Sequence, residues 1–178
     1  DAVIHEVVDG RHLRVSARSF FHLVESGLMP VVVPCWGFYI LRMGTPNAKR
    51  LWQYVMARWG ALPVVWCLAG EVSMPYYTSP TPQEDGPRQI EAWSEVLEFL
   101  RANNSHGHLI TAHPRHARTS RSEVWNPALL DFDLIQAGHL FVHALPTALS
   151  LLRKSRAATP VLPALVDEVA YEGIGETN

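Results

Sequence analysis

Apolar residues recur along this chain at two alternating spacings, one helical and one extended, and the alternation predicts a series of strand and helix units. Leu13, Ala17, Phe20, Phe21 and Val24 keep helical spacing over residues 11–26, with Gly27 as the expected C-terminal cap. Residues 29–36 read as a strand. Thr45 before Pro46 is a cap and first-turn pair, and Leu51, Trp52, Val55, Met56 and Trp59 share one face of the helix that follows, up to Gly60. A second strand covers 62–71. A loop over 74–87 leads to a helix marked by Ile90, Trp93, Leu97 and Leu100, which stops at Asn103-Asn104. Residues 108–111 form the third predicted strand, 114–127 a polar loop, and 132–136 a fourth strand. Pro146 is expected to open the next helix, through Leu149 and Leu152, and 161–166 the fifth strand.

The predicted strands end at Trp36, Glu71, His113, His139 and Glu168. That recurrence matches the size of a βαβ unit, roughly 30 residues. Right-handed units of this kind build an open doubly wound sheet or a barrel, and no Gly-rich phosphate loop follows any of the strands. The expected fold is therefore α/β, a partial TIM (β/α)8 barrel. A complete barrel takes about 250 residues, so this chain of 178 reads as one domain carrying its middle and latter part, with strands missing at both ends.

Composition narrows the partners more than the chemistry. With 15 Lys and Arg against 17 Asp and Glu, and no basic block, neither nucleic acid nor a polybasic membrane surface is an expected partner. No apolar run approaches the roughly 18 residues of a membrane span, and the first residues lack the order of a signal peptide. The sequence begins at Asp1 rather than Met, so any upstream segment is outside it. Cys35 and Cys67 lie in predicted strands and read as structural free thiols. Their alternative, a disulfide between neighbouring strands, requires an oxidising compartment.

The informative chemistry sits at the strand ends. The run from Val64 to Gly70 is apolar throughout, as a strand buried on both faces should be, and it ends in Glu71. A charge there is costly to bury without a purpose. The last strand repeats the pattern, leading into Asp167-Glu168. In a barrel the loops after the strands form the active site. The same rim also holds Trp36, His113, Gln136 and His139, and Tyr76, Tyr77, Tyr171 and Glu172 lie close by. Aromatic platforms, hydrogen-bonding side chains and two carboxylates are what hydrolysis of a glycosidic bond requires. Each residue also has an ordinary reading, as a helix cap, an ion pair or a satisfied polar group, and Trp66 is read as core. Their joint placement carries the functional expectation.

Several motifs occur together and in order: Pro34-Cys35-Trp36-Gly37, Ala57-Arg58-Trp59-Gly60, the strand from Pro63 to Glu71, Thr111-Ala112-His113-Pro114, Asp131-Phe132, Gln136-Ala137-Gly138-His139, and the run from Glu168 to Ile174. In combination they resemble the apiosidase-like glycoside hydrolases, a bacterial family of (β/α)8 barrels, over nearly the whole chain. The resemblance implies strands 3 to 7 of the barrel and a glycosidase acting on plant-type polysaccharide or oligosaccharide, such as apiose-containing pectin. It allows secretion or a periplasmic location. It also implies the roles of a retaining glycosidase, with Glu71 as acid/base at the end of strand four and Glu168 as nucleophile at the end of strand seven. Trp36, His113, Gln136, His139 and Tyr171 are the expected substrate-binding residues; no cofactor and no metal are expected. Two positions depart from the pattern: Gly70 stands where Asn usually precedes the acid/base, and Asp167 where Gly is more usual before the nucleophile. The second leaves open whether Asp167 or Glu172 shares the role of Glu168.

Two rivals remain at this level. His106, His108, His113 and His116 raise a metal-dependent hydrolase, although their spacing matches no standard zinc site. The missing strands raise a noncatalytic carbohydrate-binding or structural fragment, since an open five-strand segment exposes sheet edges unless the rest of the parent chain supplies the missing strands.

Overall fold

The computed structural model describes residues 20–139 and 141–171. Most of the predicted first helix lies outside these, as does Glu172. The described part of that helix, over 20–25, is tied to the core by Phe20, whose ring stacks on Trp59 at 4.3 Å.

Three short strands, β1 (Val31–Val32), β2 (Val65–Cys67) and β3 (Ile110–Thr111), pair in parallel in that order. A second set contains β4 (Arg118–Thr119), antiparallel to β5 (Asp133–Gln136), and β6 (Ala164–Glu168), parallel to β5. Ser120 joins the two sets: its hydroxyl donates to Ala112 O beyond β3 and accepts from Leu134 N of β5 at 2.8 Å. Asp131 N donates to Ile110 O at 2.8 Å, so the start of β5 adjoins β3. All five predicted strands have a counterpart: β1, β2 and β3 are parallel to one another, as are β5 and β6, the last lying at Ala164–Glu168 and so taking in the two acids expected just beyond it. Their regular ladders are shorter than the apolar runs because only the central residues pair continuously. Farther along, contact resumes at a bridge between Trp36 and Gly70.

Helices connect the parallel strands. The first, α1 (Ile40–Trp59), begins earlier than Thr45-Pro46 predicts, but it breaks at Gly44, whose φ of 73° is not helical. The cap and proline therefore start the second segment of a kinked helix rather than the helix itself. The next, α2 (Pro82–Asn103), takes in residues 82–87 of the predicted 74–87 loop, with Pro82 in its first turn. Pro146 does not open the last helix, α3 (Phe141–Ala157); it lies inside it, past the first turn, and forfeits one backbone bond. The predicted 114–127 loop is not featureless either, since it contains β4 and 310 turns at Ser120–Glu123 and Pro127–Leu129.

The core forms where α1 and α2 cover the first sheet. Trp52, Trp66, Trp93, Leu68, Leu97, Leu100 and Ile110 are all buried. Each indole also finds an acceptor, as a buried Trp requires: Trp52 Nε1 to Leu68 O at 3.3 Å, Trp66 Nε1 to Asn104 Oδ1 at 3.3 Å, and Trp93 Nε1 to Gly37 O at 2.7 Å. Trp66 is thus core, as expected. Cys35 and Cys67 are free, and burial pushes both thiols up to about 12. On the outer strands alternate apolar residues are bare: Val31 is 52% exposed beside buried Val32, and Leu165 of β6 is 56% exposed. Among the described residues no helix is long and apolar enough to cross a membrane.

Candidate active site

Glu71 leaves β2 in an unusual backbone state. Its φ of 40° lies in the left-handed region, which costs a non-glycine residue roughly 1 kcal/mol or more and persists only where the surroundings enforce it. They do so on both sides. Gly70 N donates to Cys35 O at 2.9 Å, and Val72 N to His113 O at 3.1 Å. Gln89 then holds the following loop through Nε2, which donates to Val72 O at 2.7 Å and Met74 O at 3.0 Å. Buried Glu123 accepts from Ser73 N at 2.8 Å. Its burial raises its pKa above the ordinary value, against the lowering influence of Ser73, Arg118 and Arg115.

Gly37 and Gly70 set how closely the first two strand ends approach. A Cβ on Gly37 would lie 2.3 Å from Val72 O, so only glycine lets Trp93, α2 and the Glu71 loop meet there. A Cβ on Gly70 would lie 3.0 Å from the ring of Trp36. This accounts for one departure noted in the sequence: with Gly70 before Glu71, the indole of Trp36 lies directly across the β2 end. Trp36 remains 47% exposed.

Gln136 connects the acid of β2 to the strand pair β5 and β6. Its Nε2 donates to Glu71 Oε1 at 3.2 Å, and its Cα is the ladder partner of Glu168. Around Glu168 the donors converge. His113 Nε2 lies 2.8 Å from Oε2, His139 Nε2 lies 3.3 Å from Oε1, and Tyr171 donates its hydroxyl to Oε1. The ring of Tyr171 stacks on His139 at 4.2 Å. Its bond to Glu168 is the main cause that pushes the phenol up to about 12, so it remains a donor. His113 Nδ1 is 3.1 Å from Asp167 Oδ2, an ion-pair contact off the line of a hydrogen bond. Burial alone lowers the His113 pKa, but Asp167 and Glu168 outweigh it and hold the imidazole above its ordinary 6.5.

All seven residues singled out by sequence thus fall in one cluster. Glu71, Gln136, His113, Glu168, His139 and Tyr171 are joined by direct contacts or by the β5 and β6 ladder, and Trp36 joins through Gly70. Asp167 belongs to the same group. The four histidines of the metal hypothesis do not converge. His106 and His108 precede β3, where His108 Nε2 lies 2.8 Å from Gly60 O, whereas His113 and His116 follow β3. His116 packs over Gly138, whose Cβ would lie 2.2 Å from that ring. Among the described residues no group of three His, Cys, Asp or Glu could hold a metal ion.

A cleft of about 830 Å³ opens beside the acids rather than over them, lined by Ser73, Gly86, Ile90, Arg115, Arg118 and Trp125 among others. Both arginines lie near enough to buried Glu123 to lower its pKa, and Trp125 is largely exposed. These three lie in the polar loop after β3, where the sequence shows that a loop exists but not which of its side chains turn together.

No curated protein matches the chain. A solved glycoside hydrolase family 5 protein from Bacteroides vulgatus matches 82% of it at 24% identity, with a TM-score of 0.66 over 31% of that protein. A second solved structure, a glycoside hydrolase, matches 83% at 22% identity, with a TM-score of 0.67 over 34% of its length. The chain therefore spans about a third of these structures, and its fold is part of a TIM-type barrel. The model of the apiosidase-like catalytic domain matches residues 18–178, and the chain belongs to that family.

Proposed function

We propose that the protein of which this chain is a part is a retaining glycosidase, in which Glu71 is the acid/base and Glu168 the nucleophile. One observation carries the reading: Gln136 bonds Glu71 through its side chain while its backbone pairs opposite Glu168 in the ladder, so one residue of β5 links two acids from separate strand ends. In the first step Glu168 attacks the anomeric carbon. The new carbon–oxygen bond forms as the glycosidic bond breaks, and the departing oxygen takes the proton of Glu71. Water then attacks the same carbon, gives its proton to the Glu71 carboxylate, and releases Glu168 as a carboxylate. The left-handed backbone at Glu71 fits this role, since strain of that kind clusters at functional sites.

Substrate recognition divides along the rim. Trp36 offers an exposed ring to a sugar face, while Gln136 and His139, beside the acids, each keep a buried polar atom with no hydrogen-bond partner among the described residues. The neighbouring cleft, with Arg115, Arg118 and Trp125, suits an acidic plant polysaccharide such as apiose-containing pectin. The chain acts as a single domain, and the bare strands β1 and β6 pair with strands from the rest of the polypeptide.

The test is hydrolysis of a panel of plant glycans and aryl glycosides by the full-length protein, with Glu71→Gln and Glu168→Gln alongside. Hydrolysis abolished in both variants supports the assignment. Wild-type rates in either remove that residue from the mechanism. Glycan binding without hydrolysis by the full-length protein would favour the noncatalytic rival.

A further inference from the structure

Asp167 and Glu168 are consecutive on one strand, and consecutive side chains of a regular strand point to opposite faces. Here both reach the same imidazole, at 3.1 and 2.8 Å. The ladder explains how. Val166 pairs with Ile135 and Glu168 with the next residue, Gln136, so Asp167 is the extra residue of a bulge on β6. A bulge at a strand end re-aims side chains, and this one turns two neighbouring carboxylates toward His113.

We propose that Asp167 and His113 act as positioning residues for Glu168: the bulge brings Asp167 within ion-pair distance of His113 Nδ1, and the imidazole so held sets its Nε2 against Glu168 Oε2. The proposal rests on Glu168 being the nucleophile. Asp167 does not share that role; it acts on the carboxylate through the ring between them. Both contacts are ion pairs only with the charged ring, so the clamp requires imidazolium. The two carboxylates accordingly shift the His113 pKa upward against its burial. The titratable groups around the cluster are Asp167, Glu168 and Tyr171 from the β6 segment, Cys67 and Glu71 from the β2 segment, and His139 after β5. Tyr171 and Cys67, both pushed up to about 12, keep their protons through the neutral range.

The experiment is a histidine-detected NMR titration of the full-length protein, run beside steady-state kinetics, for wild type, Asp167→Asn and His113→Gln. His113 should titrate above 6.5 in the wild type and at lower pH in Asp167→Asn. Both variants should lower kcat while KM stays near the wild-type value, His113→Gln by about 10²-fold, the scale of a 1 Å misplacement at a reacting centre. An unchanged His113 titration in folded Asp167→Asn would overturn the proposal, as would wild-type kcat in folded His113→Gln. Failure of the glycosidase reading shows separately, as wild-type turnover by Glu168→Gln.

Discussion

Replacing Gly37 by alanine tests how tightly the rim is built around Glu71. The new Cβ would lie 2.3 Å from Val72 O and 2.6 Å from Val72 Cα, against an ordinary contact of about 3.4 Å or more. Backbone on one side must therefore retreat by about 1 Å, and that backbone adjoins Glu71. Two bonds at the same point resist the shift: Gly37 N to Gly70 O at 2.6 Å and Trp93 Nε1 to Gly37 O at 2.7 Å. Overpacking of this kind costs about 1 to 3 kcal/mol. In urea that lowers the unfolding midpoint by about 0.5 to 1.5 M for a slope near 2 kcal/mol per molar. The variant should stay folded in buffer, since domains have about 5 to 15 kcal/mol in hand. Its activity should nonetheless fall by about 10²-fold, because the acid/base moves with Val72. Urea unfolding and kcat on one cleaved glycan, measured on the same full-length preparation, check both halves. A wild-type midpoint with wild-type kcat would refute the claim that the glycine contact fixes Glu71.

Three further outcomes follow from other parts of the structure. Asp133 is fully buried, accepting from Ser155 Oγ at 2.6 Å and from Arg121 N at 3.1 Å and lying 3.2 Å from Arg121 Nε, so Asp133→Ala should cost about 3 to 5 kcal/mol in chemical denaturation. Trp36→Ala should raise KM about 2- to 10-fold with little change in kcat, the worth of one ring-stacking contact, as steady-state kinetics would show. His113 is held above its unfolded value, so it contributes stability that is complete below pH 6.5 and is lost as pH rises through its folded value. Unfolding midpoints should accordingly decline through that window in the wild type, and the decline should flatten in His113→Gln.

The strand order and the clustering of the candidate site residues were legible in the sequence because both depend on short-range patterns. An apolar run such as Val64 to Gly70 has to be a buried strand, and the next residue, Glu71, has to be on the rim. Helix starts were less legible. Thr45-Pro46 and Pro146 are sound local start signals, yet α1 and α3 begin earlier because packing against the sheet outweighs a cap or the loss of one bond. The β6 bulge was not readable at all, since it is a matter of register between Ile135 and Gln136 and leaves no mark in hydrophobic spacing. Gly70 could be seen only as a departure from a pattern; its reason, the Trp36 ring lying across it, is tertiary. The cleft residues Arg115, Arg118 and Trp125 escaped for the same reason, because a polar loop does not declare which of its side chains face one another.

Double displacement through Glu168 is tested most directly by trapping its covalent intermediate. The full-length protein would be treated with a fluorinated, slowly turned-over analogue of the sugar that it releases, then digested and mapped by mass spectrometry. The expected result is one glycosyl label, carried by Glu168 and absent from Glu168→Gln. A label on Asp167 or Glu172 would contradict the assignment, and inactive binding without any label would contradict the double displacement itself.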